Sequence, residues 1–142
     1  MAEATLIKKV GDVVKVHIDI ANMQLSSHIG FKLYYPADIL APVGTGTGNA
    51  VQFTDGDIFT GREVEVVANN QTVDGVFWVY VSKVMKAGTP LAASGRVITL
   101  DFQAVGVGEG AIFLDEVQYG DVTNGWDYES TDESLMLTLE EP

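Results

Sequence analysis

The side chains that most often carry chemistry are few in this sequence and form no recognisable catalytic set. The two histidines, His17 and His28, fall on predicted strands and match no metal spacing such as H-x-x-x-H or H-E-x-x-H. The chain has no cysteine, which excludes disulfides, thiolate metal sites and cysteine nucleophiles. No serine lies in a G-x-S-x-G nucleophile elbow. The sequence therefore predicts a protein that is not an enzyme and has no cofactor.

Acidic residues offer a weaker case for chemistry. Two groups supply the oxygen ligands that calcium prefers: Asp55 with Asp57, and Asp127 with Glu129, Asp132 and Glu133. Neither group follows the D-x-D-x-D-G loop, so we interpret both as solvated turn carboxylates and predict no metal site. Asp115 and Glu116 are neighbours on a predicted strand, and a side-chain period of two would place them on opposite faces. That spacing argues against a catalytic carboxylate pair.

Two segments combine an apolar face with an unusual outer face. In residues 28–35, Ile29, Phe31, Leu33 and Tyr35 alternate with His28, Gly30, Lys32 and Tyr34. Pro36 ends this strand because proline has no N–H to donate. In residues 76–83, Phe77, Val79 and Val81 alternate with Trp78, Tyr80 and Ser82. Two large aromatic residues on a solvent face indicate a binding surface.

The ligand of such a surface is open between two classes. The aromatic residues Tyr34, Trp78, Tyr80, Trp126 and Tyr128 could stack against sugar rings, as in a carbohydrate-binding module. The same face also carries Lys32, Ser82 and His28. A mixture of aromatic, small and charged side chains equally suits a protein partner.

Composition limits the other possible partners. The 142 residues contain 8 Lys+Arg and 20 Asp+Glu, a formal net charge of -12, which disfavours nucleic acids and anionic membranes. No apolar run approaches the roughly 20 residues that span a bilayer. The glycine-rich segment 44–49 lacks the G-x-x-x-x-G-K-[ST] phosphate-binding pattern, so we predict a flexible turn. Strand-like sequence begins directly after Met1, and we expect a module of a longer exported protein.

The chain predicts one domain, residues 1–142, built from strands with little helix. Short alternating segments at 8–15-residue spacing are separated by turns rich in Gly, Asn and Asp. We predict a nine-stranded all-β sandwich with jelly-roll topology. The predicted strands are Ala4–Lys9, Val13–Ala21, 28–35, Val51–Phe53, Glu63–Ala68, Val76–Lys83, Gly95–Val105, Ala111–Val117 and Ser134–Leu139.

An ordered set of segments resembles a cohesin module of a cellulosomal scaffold protein. The segments are VGDVVKVHIDIAN (10–22), GFKLYYPADIL (30–40), FWVYVSK (77–83), GRVITLDFQA (95–104) and GAIFLDEV (110–117). The resemblance implies a non-catalytic sandwich that binds a dockerin, the helical module of an enzyme or another scaffold. It also implies an extracellular or cell-surface location within a larger scaffold. Any calcium would then belong to the dockerin.

The resemblance also implies which residues would contact the dockerin. They are His28, Gly30, Lys32 and Tyr34 on one strand, Trp78, Tyr80, Ser82 and Lys83 on a second, and Tyr119, Gly120, Asp121, Val122 and Asn124 in a loop. Ala68, Asn69 and Asn70 would flank them. Lys32 and Lys83 would pair with partner carboxylates or helix C-terminal carbonyls. Many type I cohesins carry Asn and Asp where this chain has His28 and Gly30, and its large aromatics resemble the more hydrophobic interface of type II or divergent cohesins.

Overall fold

The protein is an all-β sandwich. A computed structural model describes residues 3–8, 10–86, 91–121, 125–129 and 135–140, and these contain eleven strands and no helix. The strands are β1 (Glu3–Lys8), β2 (Val13–Ser26), β3 (His28–Tyr34), β4 (Leu40–Pro42), β5 (Phe53–Asp55), β6 (Val64–Val73), β7 (Val76–Met85), β8 (Leu91–Ala104), β9 (Gly108–Asp121), β10 (Gly125–Glu129) and β11 (Leu135–Glu140).

The strands form two antiparallel sheets. The front sheet has the order β1-β9-β3-β7-β6, with β10 also paired to β9. The back sheet has the order β11-β2-β8-β4, with β5 also paired to β8. Only Ser27 separates β2 from β3, so the chain passes from the back sheet to the centre of the front sheet within one residue. The two-faced segment at residues 28–35 is therefore a central strand with neighbours on both sides.

Alternating apolar residues close the space between the sheets. Val14, Val16 and Ile18 of β2 are fully buried, as are Ile29 and Leu33 of β3. This burial supplies most of the stabilisation, about 25 cal/mol for each Å² of apolar surface removed from water. The core contains six of the residues that the sequence assigned to the inner faces of the two segments: Ile29, Phe31, Leu33, Tyr35, Val79 and Val81. The seventh, Phe77, is partly buried and packs against this core.

A tight hairpin and a covering loop protect the free edge of the front sheet. Asp74 and Gly75 join β6 to β7 with φ of 51° and 77°, as a two-residue type I′ turn requires. The glycine-rich segment folds back so that Val51 donates to the Ala68 carbonyl at 2.8 Å and Asn70 donates to the Asn49 carbonyl at 2.8 Å. Part of the edge strand β6 is therefore paired rather than open.

The all-β sandwich predicted from the sequence is confirmed. The structure divides the chain more finely than the nine predicted strands because short strands such as β4 and β10 pair beside the long ones. Within the described ranges, no helix is long and apolar enough to cross a membrane.

Candidate functional site

The outer surface of β9, β3, β7 and β6 forms a grid of four rows, each made of directly opposite residues. We call this surface the aromatic face. The rows are Phe113, Tyr34, Trp78 and Gln71; then Asp115, Lys32, Tyr80 and Asn69; then Gln118, Gly30, Ser82 and Val67; and finally Gly120, His28, Val84 and Glu65. The register places the outer residues of β3 directly beside those of β7, so the two segments singled out in the sequence build one surface.

The first row is a continuous line of three aromatic rings. The Tyr34 and Phe113 rings stack with centroids 5.0 Å apart and planes 7° apart. On its other side Tyr34 meets Trp78 at 5.8 Å with a tilt of 38°. Contacts of this kind between neighbouring strands contribute about 0.5–1.5 kcal/mol beyond burial. The rings thus hold one another in place while remaining partly open to solvent.

Lys32 lies beside this row and is engaged within the protein. Its Nζ is 2.5 Å from Glu116 Oε2 and 4.9 Å from the centroid of the Trp78 ring. The hydrogen bond to Glu116, helped by the negative charge of that carboxylate, raises the pKa of Lys32 above its usual range. The ammonium is therefore held over the indole as a cation–π contact rather than extended into solvent.

A β-bulge brings Glu116 to this face. Asp115 lies opposite Lys32 and Gln118 opposite Gly30, so two residues of β9 span the space of one on β3. Glu116 has φ of 51°, unusual for a residue that is not glycine, and its N–H donates to Asp115 Oδ1 at 2.9 Å. The sequence prediction that Asp115 and Glu116 point to opposite faces is wrong, because the bulge interrupts the period of two.

Small side chains leave a depression beside the aromatic row. It has a volume of about 490 Å³ and is lined by Gly30, Phe31, Lys32, Tyr80, Asp115, Glu116, Val117 and Gln118. A Cβ added at Gly30 would lie 3.3 Å from the Val81 carbonyl oxygen, so bare backbone sets the depth of the floor here. The aromatic face therefore combines a raised ridge with an adjoining hollow.

Comparison with known proteins shows similarity at the level of the fold. No family profile matches the chain, and no curated protein matches it. It is similar to a chain in the crystal structure of a type II cohesin–X–dockerin complex from Acetivibrio cellulolyticus, an N-terminal interface mutant. The TM-score is 0.60 at 16% identity, covering 96% of this chain and 85% of that one. This protein has a cohesin-like fold.

Most of the residues that the resemblance assigned to dockerin contact on β3 and β7 lie on the aromatic face. Gly30, Lys32 and Tyr34 come from β3, and Trp78, Tyr80 and Ser82 lie directly opposite them on β7. Tyr80 is 42% exposed, the largest exposure of a described aromatic residue on this face. Their role in dockerin contact stays a prediction.

The assignment of Lys83 to the binding surface is wrong. Lys83 is 0% exposed, and its side chain points through the core toward the back sheet. There Nζ is 2.8 Å from Asp55 Oδ1 and donates to the carbonyls of Gly56 at 3.1 Å and Val97 at 3.3 Å. The period of two explains this position, because residue 83 shares the inner face with Val81. Lys83 is not available to pair with a partner carboxylate.

Three further assignments differ from expectation. Ala68 is buried, and the Asn70 side chain accepts a hydrogen bond at 2.5 Å from the Tyr35 hydroxyl, so both belong to the inner face of β6. Asn69, between them, lies opposite Tyr80 on the aromatic face as expected. His28 occupies the fourth row but is only 5% exposed, between Val84 and Gly120 in the register, and offers little contact surface.

The loop assigned by resemblance is described in part. Tyr119 and Gly120 continue β9 beside β3, and Asp121 pairs with Gly125. Val122 and Asn124 lie outside the described residues, as do Asp132 and Glu133 of the second acidic group.

Phe113 is the aromatic residue of the face, among the described residues, that sequence reasoning missed. It lies between Ile112 and Leu114, which are buried in the core, so the period of two assigns it to the outer face. That signal was present in the sequence. Phe113 becomes informative only when the register places it against Tyr34.

The first acidic group is engaged in internal contacts. Asp55 binds Lys83, and Asp57 Oδ1 accepts the backbone N–H of Arg96 at 2.7 Å. In the part of the chain that the structure describes, no group of three or more His, Asp or Glu side chains is placed to share a metal ion.

Proposed function

We propose that this protein is a non-catalytic module that binds a dockerin through the aromatic face. The observation that carries the proposal is the row formed by Phe113, Tyr34 and Trp78 across three neighbouring strands. The cohesin-like fold supports the choice of partner, because the similar chain comes from a cohesin–dockerin complex. The dockerin would carry any calcium, and the module would work outside the cell or at its surface within a larger scaffold.

Rigid complementarity is the mechanism that this face favours. Aromatic residues lose little conformational entropy on binding and dominate the energetics of protein interfaces. Here the rings are also fixed by one another and by the central strands of the front sheet. A helix could rest on the ridge and place a side chain in the adjoining hollow, where Gly30 leaves room.

The arrangement of the rings favours a protein partner over a sugar. A sugar-binding platform presents ring faces to the ligand. In this row the faces of Tyr34 and Phe113 are directed at each other, with planes 7° apart. Lys32 Nζ lies over the Trp78 ring. The rings therefore have fewer free faces for stacking than a carbohydrate-binding module would need.

Trp78→Ala tests the proposal. The full chain and the variant are titrated against a panel of type I and type II dockerins that includes the X-dockerin of the A. cellulolyticus complex, and both are applied to insoluble cellulose. Loss of a central aromatic anchor should weaken dockerin binding by about 2 kcal/mol or more, roughly 30-fold in Kd. The thermal midpoint should change little, because Trp78 is only partly buried.

Gln103→Ala is the matched control, since Gln103 is exposed on the back sheet. Its dockerin affinity should equal that of the unaltered protein. Retention on cellulose without capture of any dockerin would contradict the proposal, as would unchanged dockerin affinity in Trp78→Ala.

A further inference from the structure

The aromatic face carries more negative than positive charge. Among its described side chains, Asp115, Glu116 and Glu65 are carboxylates, and Lys32 is their only cationic counterpart. At the margin of the face, Lys86 and Glu63 balance each other at 3.8 Å. The whole chain has the same sign, with a formal net charge of -12. A complementary partner would therefore bring positive charge.

Lys32 offsets only part of this negative charge. Its ammonium is committed to Glu116 and to the Trp78 ring, and its side chain is 30% exposed. The Glu116 side chain is 57% exposed. Beside it, Asp115 Oδ1 accepts the backbone N–H of Glu116 at 2.9 Å. The two carboxylates retain lone pairs that a donor from outside can reach.

The acceptors line the hollow beside the aromatic row. Asp115, Glu116, Gln118 and Tyr80 all border the depression of about 490 Å³. The planar guanidinium of arginine fits such a setting better than an ammonium, because its fork of N–H donors can bind a carboxylate with two parallel hydrogen bonds. Its long apolar stem would also cover the neighbouring ring surface.

We infer that the partner helix of this face carries an arginine about one turn away from the apolar residue that rests on the aromatic row. The inference rests on the proposed function and specifies its partner. Consecutive rows are two residues apart along each strand, roughly 7 Å. Residues i and i+4 of a helix are separated by about 6 Å along its axis. A helix that runs along the strands thus places an apolar residue over Tyr34 and an arginine over the Asp115–Glu116 hollow.

Helical peptides with one varied position provide the probe. Three 16-residue lactam-stapled peptides share one apolar stripe and differ only four residues from its central leucine, where they carry arginine, glutamine or glutamate. Each is titrated against the full chain by fluorescence anisotropy at low and at moderate salt. The arginine peptide should bind ~10-fold more tightly than the glutamate peptide at low salt, with a smaller ratio at moderate salt.

Three variants of the protein localise the effect. The double variant D115N/E116Q should reduce the arginine preference to within ~2-fold, since it removes both carboxylates of the hollow. The double variant D38N/E109Q removes the same charge at exposed sites outside the four rows and should keep the preference. Lys32→Gln should increase it, because the internal cation that competes for Glu116 is gone.

The outcomes are distinct. Equal affinity for the arginine and glutamate peptides overturns the inference. Failure of both peptides to bind detectably overturns it too. So does an arginine preference that survives in D115N/E116Q. A dockerin whose binding is lost in Trp78→Ala but unchanged in D115N/E116Q would overturn the inference while leaving the proposed function in place. If Trp78→Ala weakens neither dockerin binding nor peptide binding, the inference and the proposed function both fail.

Discussion

The outer faces of the two sheets carry different kinds of side chain: one holds polar groups paired with each other, the other holds partly exposed aromatic rings. On the back sheet, polar residues of β2 pair directly with residues of β8: Lys15 Nζ with Asp101 Oδ1 at 3.0 Å, His17 Nδ1 with Thr99 Oγ1 at 2.7 Å, and Arg96 Nε with Asp19 Oδ1 at 2.9 Å. We call this surface the polar face. On the aromatic face the corresponding central positions hold Tyr34, Trp78 and Phe113.

The difference lies in what each face gains from a partner. The polar groups of β2 and β8 already have partners within the protein, so covering them would exchange existing hydrogen bonds for new ones at little net benefit. Any surface that covers the aromatic rings and removes them from water lowers the free energy by about 25 cal/mol for each Å². Binding of a partner is therefore more favourable at the aromatic face than at the polar face.

Cavity size alone would have selected the other face. A wider depression, about 730 Å³, lies on the polar face and includes Lys15, His17 and Asp19 in its lining. Several of its lining groups are paired with one another, as the contacts between β2 and β8 show. The smaller hollow on the aromatic face adjoins partly exposed rings and accessible carboxylates. Chemistry distinguishes the two depressions better than volume does.

The largest effect on stability is expected where the two sheets are joined. Lys83 reaches from β7 to Asp55, a residue 43% exposed in its side chain, and Asp55→Ala would leave a fully buried ammonium without its counter-charge. We expect a loss of about 3 kcal/mol in the free energy of unfolding, measured by urea denaturation. Such a loss would show that the aromatic face depends on a contact beneath it.

Lys83→Met is the matched control, because it removes the buried charge and keeps much of the side-chain volume. Replacement of a buried ionic group by an apolar one is often close to neutral, so this variant should lose less than Asp55→Ala. Adding Lys83→Met to Asp55→Ala should restore part of the stability. An Asp55→Ala variant within about 0.5 kcal/mol of the unaltered protein would contradict this account.

The sequence predicted the faces well wherever the period of two holds. It assigned Tyr34, Trp78 and Tyr80 to the outer face and Ile29, Phe31 and Leu33 to the core, as the structure has them. The same period assigns Lys83 to the core. The resemblance placed it on the outer face instead, and the expectation that charged residues stay exposed favours that choice. A buried lysine becomes plausible only once Asp55 is known to face it from the other sheet.

The sequence could not predict features that depend on the register between distant strands. No glycine marks the bulge at Glu116, and the extra residue of β9 is visible only from its pairing with β3. The stacking of Phe113 on Tyr34 joins residues 79 positions apart in the chain. Asn70 is on the inner face because β6 extends beyond the predicted end at Ala68 and continues the alternation.

A smaller but clear effect is expected from the polar face. Asp101 is 5% exposed and accepts hydrogen bonds from Lys15 at 3.0 Å and from Gln52 Nε2 at 2.9 Å. Asp101→Ala should reduce the free energy of unfolding by about 2 kcal/mol, because two charge-assisted hydrogen bonds are lost. If the aromatic face binds a dockerin, as proposed, the dockerin affinity of this variant should remain that of the unaltered protein. Gln103→Ala, on the same strand and exposed, should change stability by less than about 0.5 kcal/mol.

The smallest effect on stability is expected from the ion pair of the aromatic face. Glu116→Gln removes the carboxylate that holds the pKa of Lys32 above 10.5. Because the pKa of Lys32 is raised in the folded state, the favourable contact is fully present below that pH and is lost as the ammonium deprotonates above it. The pair is open to solvent, so Glu116→Gln should leave the urea denaturation midpoint at pH 7 almost unchanged.

The same variant separates stability from recognition. NMR titration of Lys32 Nζ should give a lower pKa in Glu116→Gln than in the unaltered protein, since the hydrogen bond from the ammonium to the carboxylate is gone. A loss of stability as large as that of Asp101→Ala would mean that the aromatic face, like the polar face, is held together by its charges. A small loss combined with a weakened arginine preference would mean that Glu116 serves the partner more than the fold.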